Sequence, residues 1–584
     1  MRDNDIVFMN LHRRYQDSMP SFGGFLGIYV LSAWVNANGY SGQGFAGTLH
    51  EGRIIVDNLC LNGKVRIIGL YCDYANVTDN IVLSSYIKEK YNIPVIVGGP
   101  QATALGEDFL KKSKCDVLSF YEGELTTLEL LDYFLEGVGE LAQIKSIAYL
   151  EDDEIKRTPF RDLIHNLDAL PFIDEDCYLI PREDWSELSI MTGRGCPFRC
   201  SFCHEGKHSK TVRLRSVENV LEEIRINLSR MPKDSFRTIL FVDDTFTLKP
   251  ERVKEICEGL KELRKEYRFI WFCEGHVGMI RKHPEMIAWM VEAGCWRVQI
   301  GIEAGTEEVL SSFRKNIVPD DIREVVAMCR DGGVNQVFGN IIIGAAHFSK
   351  EIYERDLQFA RELLELGQGT LELNALSFWP LPETELTTNP KKYGIKIVDY
   401  DFVTTVDDFP QTETEDYDVW GLLECVQNMR AEIFNTMMKM IKERTVPESR
   451  IISWLSQDGE NFRGGIWLNT LRSALNIYNW YHLLSIGECI TSKDFTIEDY
   501  LECRPMRVVA IDATVSKNED GQRVMFGNPL TVEEMNVLIY STGKLMLKEM
   551  FPYIKVRHPL LELSSVVSIL KKLEELYLII FCKE

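Results

Sequence analysis

The sequence predicts an α/β protein: an N-terminal doubly wound parallel sheet, a partial βα barrel and a mainly α C-terminal region with a winged-helix-like end. Three observations carry this. Across residues 1–150, and again across 186–390, short apolar runs alternate with helical patterns, as in repeated strand–helix units. From about residue 395 the pattern changes, with an acidic stretch over 403–418 that reads as loop, followed by longer helical segments. The length, 584 residues with 45% hydrophobic content, is enough for several domains with sizeable cores.

In the first segment, residues 6–9 read as a strand, 25–36 as a helix, 65–70 as a strand and 78–91 as a helix. Residues 95–97 form a strand stopped by Gly98-Gly99-Pro100. Residues 117–120 are a further strand, followed by Glu122-Gly123-Glu124 and a helix over 126–134. Ligands of such sheets sit beyond the carboxyl ends of the strands. Residues 151–185 form a linker. In the second segment, strands are expected at 188–191, 238–242, 269–273, 297–301, 336–343 and 371–376, with a helix at 217–228. Beyond it lies a helical region, 391–504, with helices at 420–442 and 474–486. The aromatic run Tyr478-Asn479-Trp480-Tyr481 falls on the second helix and reads as core rather than as a substrate entry. Residues 505–584 show strand, an Asn518-Glu519-Asp520-Gly521 turn, strand, two helices and a last strand. That order resembles the winged-helix modules that bind precursor peptides.

The formal net charge of −23 disfavours nucleic acid as a partner. Lys207, Lys210, Arg213 and Arg215 make a small basic patch, read as a solvated face or an anion contact. No apolar run reaches membrane-spanning length and no secretion pattern is seen, so the expectation is a cytoplasmic protein without a membrane partner. The fifteen cysteines are then reduced thiols.

Three of them stand together, in Cys196-Pro197-Phe198-Arg199-Cys200-Ser201-Phe202-Cys203. Thiolates ligate iron–sulfur clusters, and three ligands leave one iron of a four-iron cluster open to chelate a small molecule. Zinc, with His204 or His208 completing the set, is an alternative. A two-cysteine redox pair, Cys200 and Cys203, is another, but it leaves Cys196 idle. The spacing C-x3-C-x2-C, with an aromatic before the last cysteine, resembles the radical S-adenosylmethionine (radical SAM) enzymes. The resemblance implies a 4Fe–4S cluster on Cys196, Cys200 and Cys203 with S-adenosylmethionine on the free iron. It also implies that Phe202 lies against adenine, where the alternative is core packing. The backbone of Asp243-Asp244-Thr245 would meet the methionine amino group, although paired carboxylates also suit acid–base work or helix capping. Glu303, in Gly301-Ile302-Glu303-Ala304-Gly305, would accept the ribose hydroxyls, or else pair with Lys315 or Arg314. Gly339 and Gly344 would flank adenine, or simply serve a turn.

The loops of residues 1–150 resemble the cobalamin-binding domain that precedes many radical SAM cores. The matching pieces are residues 21–27, 71–76, 98–103 and 122–124. They imply a cobalamin contact set of Gly23, Gly24, Tyr74, Asn76, Gly98, Gly99, Gln101, Glu122 and Gly123. This chain has Phe22-Gly23 where the family usually has prolines before the first glycine, and no Asp-x-His-x-x-Gly motif is seen. The alternative is a flavodoxin-like domain that binds nothing. Taken together, the resemblance is to cobalamin-dependent radical SAM enzymes, in particular those that mature ribosomally made peptides. It implies methyl transfer to an unactivated carbon of a peptide or natural product, through a 5′-deoxyadenosyl radical and methylcobalamin. An electron donor such as flavodoxin or ferredoxin would be required. The rival readings are a radical rearrangement, cyclisation or epimerisation, and a non-enzymatic cobalamin or redox sensor.

Overall fold

The computed structural model describes residues 3–12, 26–204, 211–398, 409–456, 465–511, 514–519 and 521–583. The chain divides into two compact units, Met1–Gly367 with Leu373–Ile433, and Gln368–Glu372 with Phe434–Glu584.

The first unit holds two large sheets. The first sheet comprises β1 (Asn4–Leu11), β2 (Gly42–Gly47), β3 (Val65–Tyr71), β4 (Val95–Gly98), β5 (Val117–Ser119), β6 (Ile147–Glu151) and β7 (Glu154–Arg157). Its order is β2-β1-β3-β4-β5-β6-β7. The first five strands are parallel and β6 and β7 add an antiparallel edge. Strand order reverses between β1 and β3, which is where open sheets of this kind bind ligands. Helices on both faces explain why β1, β3, β4 and β5 are largely apolar. Val7, Met9, Ile68 and Leu70 pack into one core, and their neighbours Ile6, Phe8 and Ile67 into another.

The sequence pattern does not mark β2, because its glycines carry little strand propensity. Packing requires them: a Cβ on Gly42 would lie 2.3 Å from Val35, and one on Gly44 2.7 Å from Tyr29. The helix Leu26–Ala37 therefore rests on nearly bare backbone.

The second sheet comprises β8 (Glu187–Ile190), β11 (Phe236–Phe241), β12 (Arg268–Gly275), β13 (Cys295–Ile300), β14 (Gln336–Ile343) and β15 (Leu371–Ser377), the six strands expected. A short hairpin, β9 (Gly193–Arg194) with β10 (Arg213–Leu214), stands beside it. The order is β15-β14-β13-β12-β11-β8, with β8 through β14 parallel, the arrangement of a partial βα barrel. Its helices are amphipathic; Pro250–Leu263 buries Val253, Ile256, Cys257, Leu260 and Leu263, one face at three- and four-residue spacing. Arg237 on β11 is fully buried and donates to the carbonyls of Leu228 (2.8 Å), Met231 (2.7 Å), Pro232 (2.7 Å) and Ser235 (2.6 Å). It thereby satisfies carbonyls left open at the end of the helix Val217–Ser229.

The second unit is mainly helical. Trp480 and Tyr481 are buried, and the Trp480 indole donates to the Ile579 carbonyl at 2.9 Å, so this aromatic run is core. The strand Ile579–Cys582 lies between Cys489–Ile490 and Arg504–Arg507, antiparallel to both. Beyond residue 505 the chain forms three helices, Val532–Tyr540, Leu547–Arg557 and Leu563–Glu575, where the pattern predicts two. Among the described residues no helix is long and apolar enough to cross a membrane. All fifteen cysteines are free thiols.

Candidate functional site

The chain leaves β8 through Thr192, enters β9, forms the cysteine loop and returns through β10. Asp243, just past the carboxyl end of β11, is 6% exposed and holds the start of this path. Its carboxylate accepts from the backbone of Thr192 (2.6 Å) and Gly193 (3.2 Å) and from the Thr192 hydroxyl. Burial pushes its pKa up to about 6. Asp244 is likewise raised by burial and takes a hydrogen bond from the Gly195 backbone. Both carboxylates therefore position the loop, and the acid–base alternative is not needed to explain them. Thr245 Oγ1 lies 3.7 Å from Cys196 Sγ.

The far side of the loop is fixed too. The Ser201 backbone donates to the Phe313 carbonyl at 3.0 Å, and its hydroxyl to the Ser312 carbonyl at 2.7 Å. Phe202 packs edge-on against Phe313, with centroids 4.9 Å apart. Phe198 stacks on His276, at 3.8 Å and an interplanar angle of 6°. The three cysteines are held half-buried on this loop. Among the described residues no three His, Cys, Asp or Glu side chains gather closely enough to hold a single metal ion. A zinc ion needs its ligands about 2 Å away, whereas a cluster spreads its cysteines over separate irons.

Charged residues collect at the carboxyl ends of β12 and β13. Burial, with Asp244 and Glu303 adding repulsion, pushes Glu274 up to about 7. Gln299 donates to it at 3.1 Å. Glu303 has φ 62°, a left-handed conformation costly for a residue with a side chain and common at functional sites. Its Oε1 lies 3.1 Å from Lys315 Nζ, while Arg314 pairs with Glu385. Burial opposes the Lys315 ammonium, but Glu303 and Cys200 outweigh it and raise its pKa. Burial raises the Cys200 thiol, with Lys315 opposing. An ammonium and several carboxylates beside a thiol loop can receive a ligand that carries both charges. A Cβ on Gly339 would lie 2.3 Å from Ile302, and one on Gly344 (φ 80°) 2.8 Å from Leu422, so packing accounts for both glycines.

A cavity of about 420 Å³ opens where the carboxyl ends of the first sheet meet the cysteine-loop hairpin. That is within the usual range of ligand clefts. Gly69, Gly98, Gly99 and Gly123 line one side, and Gly193, Arg194, Gly195 and Asp244 the other. Gly99 has φ 106°, and a Cβ there would lie 2.5 Å from the Cys72 carbonyl, so the backbone runs as close as glycine permits. Of the expected cobalamin set, Gly98, Gly99, Glu122 and Gly123 reach this cavity, and Tyr74, Asn76 and Gln101 are absent from its lining. Asn76 donates to Asn10 Oδ1 and to the carbonyls of Leu11 and Tyr71, and accepts from the Asp73 backbone, so its amide is fully engaged in the fold. Tyr74 packs on Trp379 at 4.5 Å, and the Gln101 backbone donates to Cys72. The Glu122 carboxylate is engaged with Arg194 and Arg213. Gly23 and Gly24, like Lys207 and Lys210 of the basic patch, lie outside the described residues. The sequence places Glu274 at the carboxyl end of a strand without giving it a role, and it does not single out His276, which directly follows β12 where barrel sites form. No local signal marks Arg194.

The radical SAM superfamily matches residues 190–360. An uncharacterized methyltransferase of Pyrococcus horikoshii is 30% identical over 329 residues, 55% of this chain and 68% of its own length. For two further curated relatives the chain spans about half of their length, 44% and 57%. The radical S-adenosylmethionine methyltransferase TsrM of Kitasatospora setae, solved with tryptophan substrate and a SAM analog, superposes with a TM-score of 0.60 at 14% identity. That superposition covers 81% of this chain and 99% of TsrM. OxsB, a cobalamin-dependent S-adenosylmethionine radical enzyme solved with aqua-cobalamin and S-adenosylmethionine, gives 0.56 at 14% identity over 98% of this chain and 79% of its own. At these identities the solved structures speak to fold: a mixed α/β architecture with the parallel sheet of the radical SAM core. With the cysteine loop at the carboxyl end of that sheet, the chain belongs to the radical SAM superfamily and is a radical SAM enzyme, with the 4Fe–4S cluster and S-adenosylmethionine that the family implies.

Proposed function

We propose that this chain is a cobalamin-dependent radical SAM C-methyltransferase acting on an unactivated carbon of a peptide or natural product. The observation that carries the reading is the cavity bounded by Gly98, Gly99 and Gly123 at the carboxyl edge of the first sheet and by Gly193, Arg194 and Gly195 at the start of the cysteine loop. Its glycine-lined backbone offers a close approach to a flat macrocycle, and it opens beside the cysteine loop. When bound, the corrin supplies a transferable methyl group and the cluster with S-adenosylmethionine supplies a carbon radical. The chain's own part is positional. Asp243 and Asp244 hold the cysteine loop, Lys315 and Glu303 present charge beside it, and Phe202 lies against Phe313 at its edge.

The finer assignments are part of the same proposal. Phe202, Asp244, Thr245, Glu303 and the backbone near Gly339 and Gly344 serve S-adenosylmethionine, and Gly98, Gly99 and Gly123 serve cobalamin. A flavodoxin- or ferredoxin-like donor supplies the electron, and residues 505–584 grip a peptide substrate. The free thiols fit a reducing compartment such as the cytoplasm. The test is anaerobic purification with hydroxocobalamin supplied, cluster reconstitution, and quantitation of iron and corrin beside the ultraviolet–visible spectrum. About four irons and one corrin per chain are expected. Iron without corrin would overturn the cobalamin assignment.

A further inference from the structure

We propose that Glu122 is a positioning residue for the cysteine loop, because its carboxylate neutralises two arginines that face each other across the neck of that loop. The proposal goes beyond the methyltransferase reading and does not depend on it; it requires only that the cysteines hold the family's cluster.

The neck is the hairpin β9/β10, which brackets residues 195–212 with two residues on each strand. So short a pairing does not stand alone in water. Its register sets Arg194 directly opposite Arg213. Directly opposed side chains in an antiparallel pair start about 5 Å apart, and like charges there repel. Solvent does little to screen these two, since their side chains are 18% and 4% exposed.

The compensating charge comes from the loop after β5. Glu122 Oε1 lies 3.2 Å from Arg194 Nη1 and 2.7 Å from Arg213 Nη1. Its Oε2 accepts from Arg213 Nη1 at 2.9 Å and from the Ile164 backbone at 3.0 Å. Glu124 Oε1 adds a contact of 2.6 Å, to Arg194 alone. Glu122 thus bridges both cations. Two carboxylates balance two guanidiniums, and the loop that lines the cavity also closes the neck of the loop that holds the cluster.

The test uses the full chain, reconstituted anaerobically. E122Q leaves two arginines against one carboxylate, while E122Q/R213Q restores balance with the Arg194–Glu124 pair. Iron release to a chelator is followed by loss of cluster absorbance, and the cluster's electron paramagnetic resonance signal is recorded with and without S-adenosylmethionine. We expect E122Q to release iron about tenfold faster and to blunt the response of that signal, and E122Q/R213Q to recover most of both. Wild-type iron release in a folded E122Q, or a double variant no better than E122Q, would overturn the proposal. If E122Q alone fails to fold, recovery of a folded, cluster-bearing double variant supports it and failure to recover refutes it.

Discussion

Asp356 lies on the helix Lys350–Gly367, is 1% exposed, and accepts a hydrogen bond of 2.7 Å from the Gly305 backbone. Through that bond it holds the segment that follows Glu303. Burial pushes its pKa from 3.8 up to about 7, the Gly305 hydrogen bond only partly opposing. The folded state therefore keeps a proton that the unfolded chain releases between these values. Stability falls as pH rises through this window, by about 1.4 kcal/mol for each pH unit crossed. Across the whole window the loss is about 4 kcal/mol at most. Asp356→Asn keeps an acceptor for Gly305 and has no charge to bury. It should match the wild type near pH 4 and exceed it by up to about 4 kcal/mol at about pH 8. Urea unfolding of both proteins at about pH 4, 6 and 8, under anaerobic conditions, measures the difference. A variant no more stable than the wild type at the highest pH, or a gap that does not widen with pH, would refute the reasoning. Asp356→Ala is the contrast: it also removes the acceptor from a buried N–H, a loss of about 1–3 kcal/mol that partly cancels the gain.

Replacing Cys196, Cys200 or Cys203 singly with Ala should abolish the cluster, read as loss of bound iron and of its visible absorbance after reconstitution. Asn76→Ala should cost about 2–3 kcal/mol in urea unfolding, because the partners of a buried amide lose their bonds together; a change within error would show that water replaces it. Lys315→Met strands the Glu303 carboxylate, 13% exposed, and should destabilise by about 3–5 kcal/mol. The double variant Glu303→Gln/Lys315→Met should recover most of that loss, and no recovery would mean that the pair does not act as a unit.

What depends on near neighbours is legible in the order of the amino acids alone. Apolar runs mark β1, β3, β4 and the six strands of the second sheet, because each buried strand carries its own periodicity. The cysteine loop is legible because its ligands sit within eight residues, Cys196 to Cys203. What the polar side chains do follows from contacts between distant parts of the chain. Glu122 reads in sequence as a cofactor contact, and only the structure shows that it also meets Arg213, 91 residues away. Asn76 reads likewise, yet it bonds Asn10 across 66 residues. Strand β2 hides behind glycines that only the crossing helix explains. A buried carboxylate or amide must find a partner, and the chain path rather than the local pattern decides which partner is in reach.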